Sequence, residues 1–259
     1  MLRHTTRAAM PDLSLAGLRV LVTRPEGDGA EEWSAALADA GALPIPYPTI
    51  TFGPPPSWQP LDEALAKLAR YDWAIFTSQT TVAFVLGRLP GQRFPPGAQP
   101  RIAVIGAATA RVVEAAGGVV TLRPDDSRQE GLARALASVE PGSHLLFPAA
   151  EGARTLLAES LRRRGCAVDV VVVYRTLPRP DLPTLPAFDV ATFASPSALR
   201  AYLAHAGAAS LGGKGVVVIG PTTAKEASAN GIQVVVAEQP GSDSLISAIA
   251  TSSSSQGVR

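Results

Sequence analysis

The sequence predicts an α/β protein built on parallel sheets, and three observations carry that prediction. Short β-branched runs alternate with alanine-rich helical stretches along almost the whole chain. The alternation restarts near the middle. The second half then repeats residue patterns of the first at the ends of its strands.

Taken in order, Leu18–Thr23 (LRVLVT) reads as a buried strand. Gly27–Ala40 follows as a helix with Trp33, Leu37 and Ala40 on one face, and Gly41 stops it. Strand Leu43–Tyr47, a proline-rich loop at Pro54–Pro56 and helix Leu61–Arg70 come next. Three strand–helix pairs follow: Trp73–Phe76 with Thr80–Arg88, Ile102–Ile105 with Ala107–Ala116, and Val119–Leu122 with Arg128–Ser138. The restart begins with strand His144–Phe147 and helix Gly152–Arg164. Arg162, Arg163 and Arg164 close that helix as a solvated, dipole-complementing end. Strand Val168–Tyr174 and a proline-rich linker at Leu177–Pro186 lead on to strand Val190–Phe193 and helix Ser197–Ala206. Strand Val216–Ile219, helix Thr222–Asn230, strand Ile232–Val236 and helix Ser242–Ile249 finish the chain. The sum is ten strands and nine helices, with residues 1–14 and 252–259 reading as disordered.

The repeat is explicit. Tyr71-Asp72-Trp73-Ala74-Ile75-Phe76-Thr77-Ser78 matches Phe188-Asp189-Val190-Ala191-Thr192-Phe193-Ala194-Ser195. Val104-Ile105-Gly106-Ala107-Ala108-Thr109-Ala110 matches Val218-Ile219-Gly220-Pro221-Thr222-Thr223-Ala224, and Leu18–Ile50 aligns loosely with His144–Thr176. An internal duplication with paired sites facing a cleft follows, because α/β proteins bind ligands at the carboxyl ends of parallel strands.

Composition removes several function classes. A chain of 259 residues, 46% hydrophobic, is long enough for one or two domains with their own cores. A single cysteine, Cys166, excludes a disulfide framework and reads as a buried structural thiol, and the histidines His4, His144 and His205 are too scattered for a metal centre. A net charge of +1 offers no footprint for nucleic acid. No apolar run is long enough to span a bilayer and no secretory leader is evident, so a cytoplasmic protein is expected. There is no dinucleotide G-x-G-x-x-G, no P-loop and no G-x-S-x-G elbow. Asp125-Asp126 reads as a helix cap rather than a metal ligand pair.

The repeated strand ends share one chemistry. Each opens a helix with hydroxyl residues: Thr77-Ser78, Thr109, Ser195 with Ser197, and Thr222-Thr223. A helix N-terminus offers unpaired N–H groups and partial positive charge, so such turns either cap the helix or receive an anion. Four of them, paired by the duplication, suit a ligand with several carboxylates or phosphates. Tyr174 ends an all-valine run where the chain leaves a domain. Its phenol either projects into the cleft or is buried with its hydroxyl on backbone.

These residues resemble the uroporphyrinogen-III synthase family over about Leu18–Ile249. The matching elements are Val22-Thr23-Arg24-Pro25, the Tyr71–Ser78 stretch, Ile105-Gly106 with Thr109-Ala110, Glu151-Gly152-Ala153-Arg154, Val173-Tyr174-Arg175-Thr176, Phe193–Ala198 and Ile219–Ala224. Two positions depart from the family pattern: Gln79-Thr80-Thr81 lacks its asparagine, and Ala149-Ala150 lacks an arginine.

The resemblance implies two similar, flavodoxin-like parallel-sheet domains joined by a two-stranded linker, with the active site in the inter-domain cleft. Residues 15–46 and 178–251 would form one domain, 51–171 the other, and 47–50 with 172–177 the linker. It implies a cofactor-free, metal-free hydro-lyase that cyclises hydroxymethylbilane, a linear tetrapyrrole with eight carboxylates, to uroporphyrinogen III with inversion of the last ring. Tyr174 would be the general acid. Thr23, Arg24, Ser78, Gln79, Thr109, Ser195, Ser197, Thr222 and Thr223 would bind substrate. Arg24 would hold a carboxylate in a bidentate fork, or else pair with Glu26 or Glu31. The family would act as a monomer, with at most transient contact with hydroxymethylbilane synthase. The competing readings are a non-catalytic two-domain polyanion-binding protein and a sugar-nucleotide transferase or epimerase.

Overall fold

A computed structural model describes residues 15–96, 100–126, 128–239 and 241–255. The chain begins β1 (Arg19–Val22), α1 (Asp28–Asp39), β2 (Leu43–Pro46) and β3 (Ile50–Gly53). It continues α2 (Gln59–Ala66), β4 (Trp73–Phe76), α3 (Gln79–Leu86), β5 (Arg101–Val104), α4 (Ala107–Ala115), β6 (Val120–Leu122) and α5 (Gln129–Ala135). Next come β7 (His144–Ala150), α6 (Leu156–Arg163) and β8 (Ala167–Pro178). It ends β9 (Val190–Phe193), α7 (Pro196–Ala206), β10 (Gly215–Val218), α8 (Pro221–Ala229), β11 (Val235–Val236) and α9 (Ser242–Ser255). None of the described helices is long and apolar enough to cross a membrane.

The chain divides into two compact units, one holding the residues up to Thr51 and those from Leu177, the other Phe52–Thr176. The first unit has a five-stranded sheet in the order β11-β10-β9-β1-β2, and its strands pair in parallel. Numbered within the unit, that is the doubly wound order of flavodoxin-like folds, 2-1-3-4-5. The second unit has the order β3-β8-β7-β4-β5-β6, with β4 to β8 parallel. Its five parallel strands lie in the same spatial order, but the chain enters them at a different point. The pair β7-α6-β8 ends this unit, whereas the equivalent β1-α1-β2 begins the other.

Each sheet is apolar on both faces, because helices cover both. In β1, Val20 and Val22 face a cluster with Trp33 and Leu37 of α1 and Leu245 and Ile249 of α9, while Leu21 faces Leu199 and Tyr202 of α7. In β4, Ala74 and Phe76 pack on Val82 and Val85 of α3, while Trp73 and Ile75 pack on Leu132 of α5 and Leu157 of α6. Cys166 is buried beneath this second face, as expected of a structural thiol.

At the seam where the strand order reverses, the two repeats make the same bonds. Asp189, just before β9, accepts the Arg19 amide at 2.9 Å and returns its own N–H to the Arg19 carbonyl at 2.9 Å. Asp72, just before β4, accepts the His144 amide at 2.8 Å and donates to the His144 carbonyl at 2.9 Å. Each aspartate thereby pairs the first groups of two neighbouring parallel strands.

The structure departs from the sequence pattern in several places. It has eleven strands among the described residues; the additional one, β3, is four residues between prolines and gains its order by lying beside β8. Helix α6 starts at Leu156 rather than Gly152, because Gly152 takes φ 69° and opens a turn. Two of the three arginines at its end are not merely solvated. Arg162 donates to the Val168 carbonyl at 2.6 Å and Arg164 to the Leu136 carbonyl at 3.0 Å. Asp126 does not cap α5, whose cap residue is Arg128; it forms ion pairs with Arg128 and Arg134. Residues 252–255, expected to be disordered, continue α9. Hydroxyls of Ser247, Thr251 and Ser253 bond carbonyls four residues back, and Ser252 is buried. The rest of the expected disorder, 1–14 and 256–259, lies outside the described residues.

The Asp189 carboxyl is held down to about 2 by its hydrogen bonds to the Arg19 guanidinium, against partial burial and with help from the Arg19 amide. A carboxyl lowered in the folded state favours folding in its charged form. Its contribution is therefore full above about pH 4 and is lost as pH falls towards 2. Asp189→Asn should cost about 1 kcal/mol at pH 7. Urea titrations at pH 7 and pH 2.5 check this; a deficit of equal size at both pH values would contradict it.

Candidate functional site

The carboxyl ends of both sheets carry the hydroxyl turns, and the structure separates side chains that face outward from those that do not. In the first unit, β1 is followed by Thr23, which is fully buried. Its hydroxyl donates to the Thr192 carbonyl at 2.7 Å, and the Thr192 hydroxyl donates to the Leu21 carbonyl at 2.9 Å. Thr23 therefore locks the β1–β9 seam, and its side chain is not available to a ligand. The Thr23 hydroxyl is committed to the fold, which leaves its backbone for the expected binding role.

Arg24 follows. Its guanidinium lies 4.5 Å from the centroid of the Trp33 ring, and burial pushes its pKa below the ordinary arginine value, with Glu32 opposing. The ion-pair alternative does not form: among the described residues Arg24 has no ion pair with Glu26 or Glu31, and Glu26 pairs with Arg179 instead. A partly desolvated arginine remains a cation, so this one gains from an incoming carboxylate.

The first helix after each seam is capped by serine. Ser195 accepts the Ala198 amide at 3.2 Å at the head of α7. Ser78 accepts the Thr81 amide at 3.1 Å at the head of α3 and shares a 2.8 Å bond with the Thr81 hydroxyl. Both serines act as caps, which accounts for the hydroxyl type without a ligand. Next to them, Gln79 opens α3 half-buried, with no hydrogen bond from its carboxamide to a described residue. Ser197 accepts a long bond, 3.4 Å, from Arg200.

The second helix after each seam starts differently. The cap residue of α4 is Gly106 and that of α8 is Gly220, so neither helix has a side-chain cap. Their first N–H groups are left open. In α4 these belong to Ala107, Ala108 and Thr109, since the Ala110 amide reaches back to Gly106. In α8 the Thr223 and Ala224 amides return to Gly220 and Pro221 has no N–H, so Thr222 supplies the open donor. The side chains of Thr109 and Thr223 are buried, at 4% and 3% exposure. Their hydroxyls are turned into the fold, which leaves the expected binding role at these turns to backbone and to the exposed Thr222 side chain. Glycine at the cap is the sequence signal that marks these open termini.

Tyr174 lies on β8, half-buried, and its hydroxyl makes no hydrogen bond with any described residue. The alternative of a buried phenol satisfied by backbone is not what forms. Its ring instead contacts Phe84 at 5.3 Å, nearly parallel, and Phe52 at 5.2 Å, edge-on. Such contacts contribute about 0.5–1.5 kcal/mol each beyond the area buried. Phe52 and Phe84 are residues that sequence reasoning missed. They come from separate elements and no local pattern joins them to Tyr174. Among the described residues there is no group of three or more His, Cys, Asp and Glu side chains placed to hold a metal ion.

The order of the sheets, the seam aspartates and the paired strand-end turns define a duplicated flavodoxin-like α/β protein with anion-ready helix starts. A family model described as uroporphyrinogen-III synthase HemD matches residues 31–247, and the chain belongs to that family. A uroporphyrinogen-III synthase of Synechococcus elongatus is 37% identical over 169 residues, an alignment covering 64% of each chain, so less than two thirds of that relative is spanned. A chloroplastic uroporphyrinogen-III synthase of Oryza sativa is 30% identical over 89% of this chain and 79% of its own. Among solved structures, a uroporphyrinogen-III synthetase of Helicobacter pylori superposes with a TM-score of 0.58 at 16% identity, covering 89% of this chain and 97% of its own. A mutant uroporphyrinogen III synthase of Thermus thermophilus gives 0.56 at 18% identity over 92% and 100%. At these identities the solved structures establish the fold.

The two kinds of helix start differ in what a substitution should do. Ser195→Ala should cost about 1 kcal/mol of stability, whereas Thr222→Ala, which removes no cap, should stay within about 0.5 kcal/mol. Thermal unfolding of the two variants checks the distinction; equal losses would contradict it.

Proposed function

We propose that this protein catalyses the uroporphyrinogen-III synthase reaction, closing hydroxymethylbilane to uroporphyrinogen III with loss of water and inversion of the last pyrrole. The observation that carries the reading is that an open helix start occurs in each unit, at Gly106 in one and at Gly220 in the other, and that the first unit also carries the desolvated Arg24, which forms no ion pair with a described residue. A substrate with eight carboxylates needs many donors, and backbone N–H groups supply them in a chain whose net charge is only +1.

The bilane's terminal hydroxyl leaves as water when a proton reaches it, pushed by electrons from the pyrrole nitrogen. The azafulvene cation that remains is attacked by the last pyrrole through its substituted carbon. That forms a spiro centre, which fragments and recloses with the ring inverted, and a proton is then lost. Free in water, the same cation closes without inversion to the type I isomer. The protein's task is therefore mainly orientation, which can supply about 7–11 kcal/mol, together with fixed dipoles for the cation. Tyr174 is the proton donor in this reading, because its hydroxyl is uncommitted and it stands in the Tyr-Arg-Thr element at 174–176. Arg24, Gln79, Ser197 and Thr222, with the open N–H groups of α4 and α8, receive carboxylates. Ser78 and Ser195 shape the turns by capping them. The protein works as a monomer in the cytoplasm, without metal or organic cofactor, and takes its substrate from hydroxymethylbilane synthase.

Incubation with hydroxymethylbilane followed by separation of the product isomers tests the reading. Predominantly type III product is expected; type I alone would reduce the protein to a binder of polyanions. Tyr174→Phe should lower kcat by about 10²-fold, within the range of general acid catalysis, and still yield type III. Arg24→Met should raise KM about tenfold, the loss of one charge-assisted bond, with kcat little changed.

A further inference from the structure

Tyr174 lies within a run of aromatic contacts, Phe52–Tyr174–Phe84–Trp58, drawn from four parts of its unit. Its ring is 5.3 Å from Phe84 of α3, with 20° between planes, and 5.2 Å from Phe52 of β3, at 77°. Phe84 is stacked in turn on Trp58, at 6.3 Å and 27°. The Arg88 guanidinium lies 5.2 Å from the Trp58 ring and is itself fixed by two hydrogen bonds to Asp62, of 2.9 and 2.7 Å. Trp58 is the cap residue of α2, so the run is anchored where that helix begins.

All four rings are only half-buried. They hide less apolar surface than core placement would give, so burial alone does not explain why they meet. The Tyr174 hydroxyl has no partner among the described residues, and no polar contact sets its direction. The phenol oxygen lies on the axis of the ring's second torsion, so its position is set by the first torsion and by what the ring leans against. Orientation of the phenol thus falls to its neighbours: a face-on ring on one side and an edge-on ring on the other. A general acid must come within about 2.6–3.2 Å of the atom it protonates. The phenol oxygen is at the far end of the side chain, where a small swing of the whole ring about the first torsion exceeds that tolerance.

We propose that Phe84, with Phe52 across the edge, is a positioning residue for Tyr174. Its stack holds the phenol where it can protonate the departing hydroxyl of the substrate. Trp58 and the Arg88–Asp62 pair extend the stack and stop Phe84 from turning. The inference rests on Tyr174 being the proton donor.

A double-mutant cycle on the full chain tests it, reading kcat, KM and isomer ratio with hydroxymethylbilane. Phe84→Leu should lower kcat about tenfold, leave KM within about twofold and keep the type III product. In a Tyr174→Phe background the same substitution should change kcat less than about twofold, because the group it positions is gone. Phe84→Tyr, which keeps a ring in the stack, should recover most of the loss. Equal losses in the two backgrounds overturn the inference while leaving Tyr174 as donor. An unchanged kcat for Tyr174→Phe alone removes the donor reading, and the inference with it. Should Phe84→Leu fail to fold by thermal unfolding, Phe52→Leu carries the same cycle with the same expected outcomes.

Discussion

In a parallel sheet whose strand order reverses, two adjacent strands send their connections to opposite sides, and a gap opens beyond their carboxyl ends. Everything in each unit depends on holding that pair of strands in register. Here the amino ends are joined by an aspartate that accepts one backbone amide and exchanges a second bond: Asp189 with Arg19, Asp72 with His144. In the first unit the carboxyl ends are joined again, by the Thr23 hydroxyl donating to the Thr192 carbonyl and the Thr192 hydroxyl donating to the Leu21 carbonyl. With the seam fixed at both ends, the turns beyond it are placed by rigid backbone rather than by flexible side chains. The duplication preserved this arrangement even though the chain enters the second unit's sheet at a different strand.

The chemistry that follows is one of dipoles more than charges. The seam helices α3 and α7 spend their serine hydroxyls on their own amides, and their neighbours α4 and α8 start at glycine and leave amides open. Glycine at a cap costs only a few tenths of a kcal/mol relative to serine, so an open helix start is an inexpensive way to present donors. A near-neutral protein can in this way receive a polyanion without a basic surface that would bind nucleic acid unspecifically. Arg24, desolvated against Trp33, is the exception that adds full charge at one point.

Much of this was legible in the sequence, for physical reasons that also explain what was not. Strands such as Trp73–Phe76 and Val190–Phe193 are buried on both faces, so they appear as unbroken apolar runs. The matching Asp72 and Asp189 showed the repeat. No period marks the four residues of β3, which lie beside prolines and have β8 as their partner; only the family resemblance implied a linker strand nearby, at 47–50. Thr109 and Thr223 looked like ligand donors because their position near a helix start is visible in sequence, while the face they turn inward is decided by packing. The serine-rich end looked unstructured by composition, yet hydroxyls returning to their own helix keep residues 252–255 in α9. The contacts of Tyr174 with Phe52 and Phe84 join distant segments, and no local spacing encodes them.

In the proposed function, equivalent helix starts in the two repeats receive one octacarboxylate. Backbone amide chemical shifts, followed while the labelled protein is titrated with the unreactive oxidised product uroporphyrin III, measure this directly. The account predicts shifts at Gln79–Thr80 and Ala107–Thr109 in one unit and at Ser197 and Thr222 in the other, saturating together. Shifts confined to one unit, or clustered away from these turns, would contradict it.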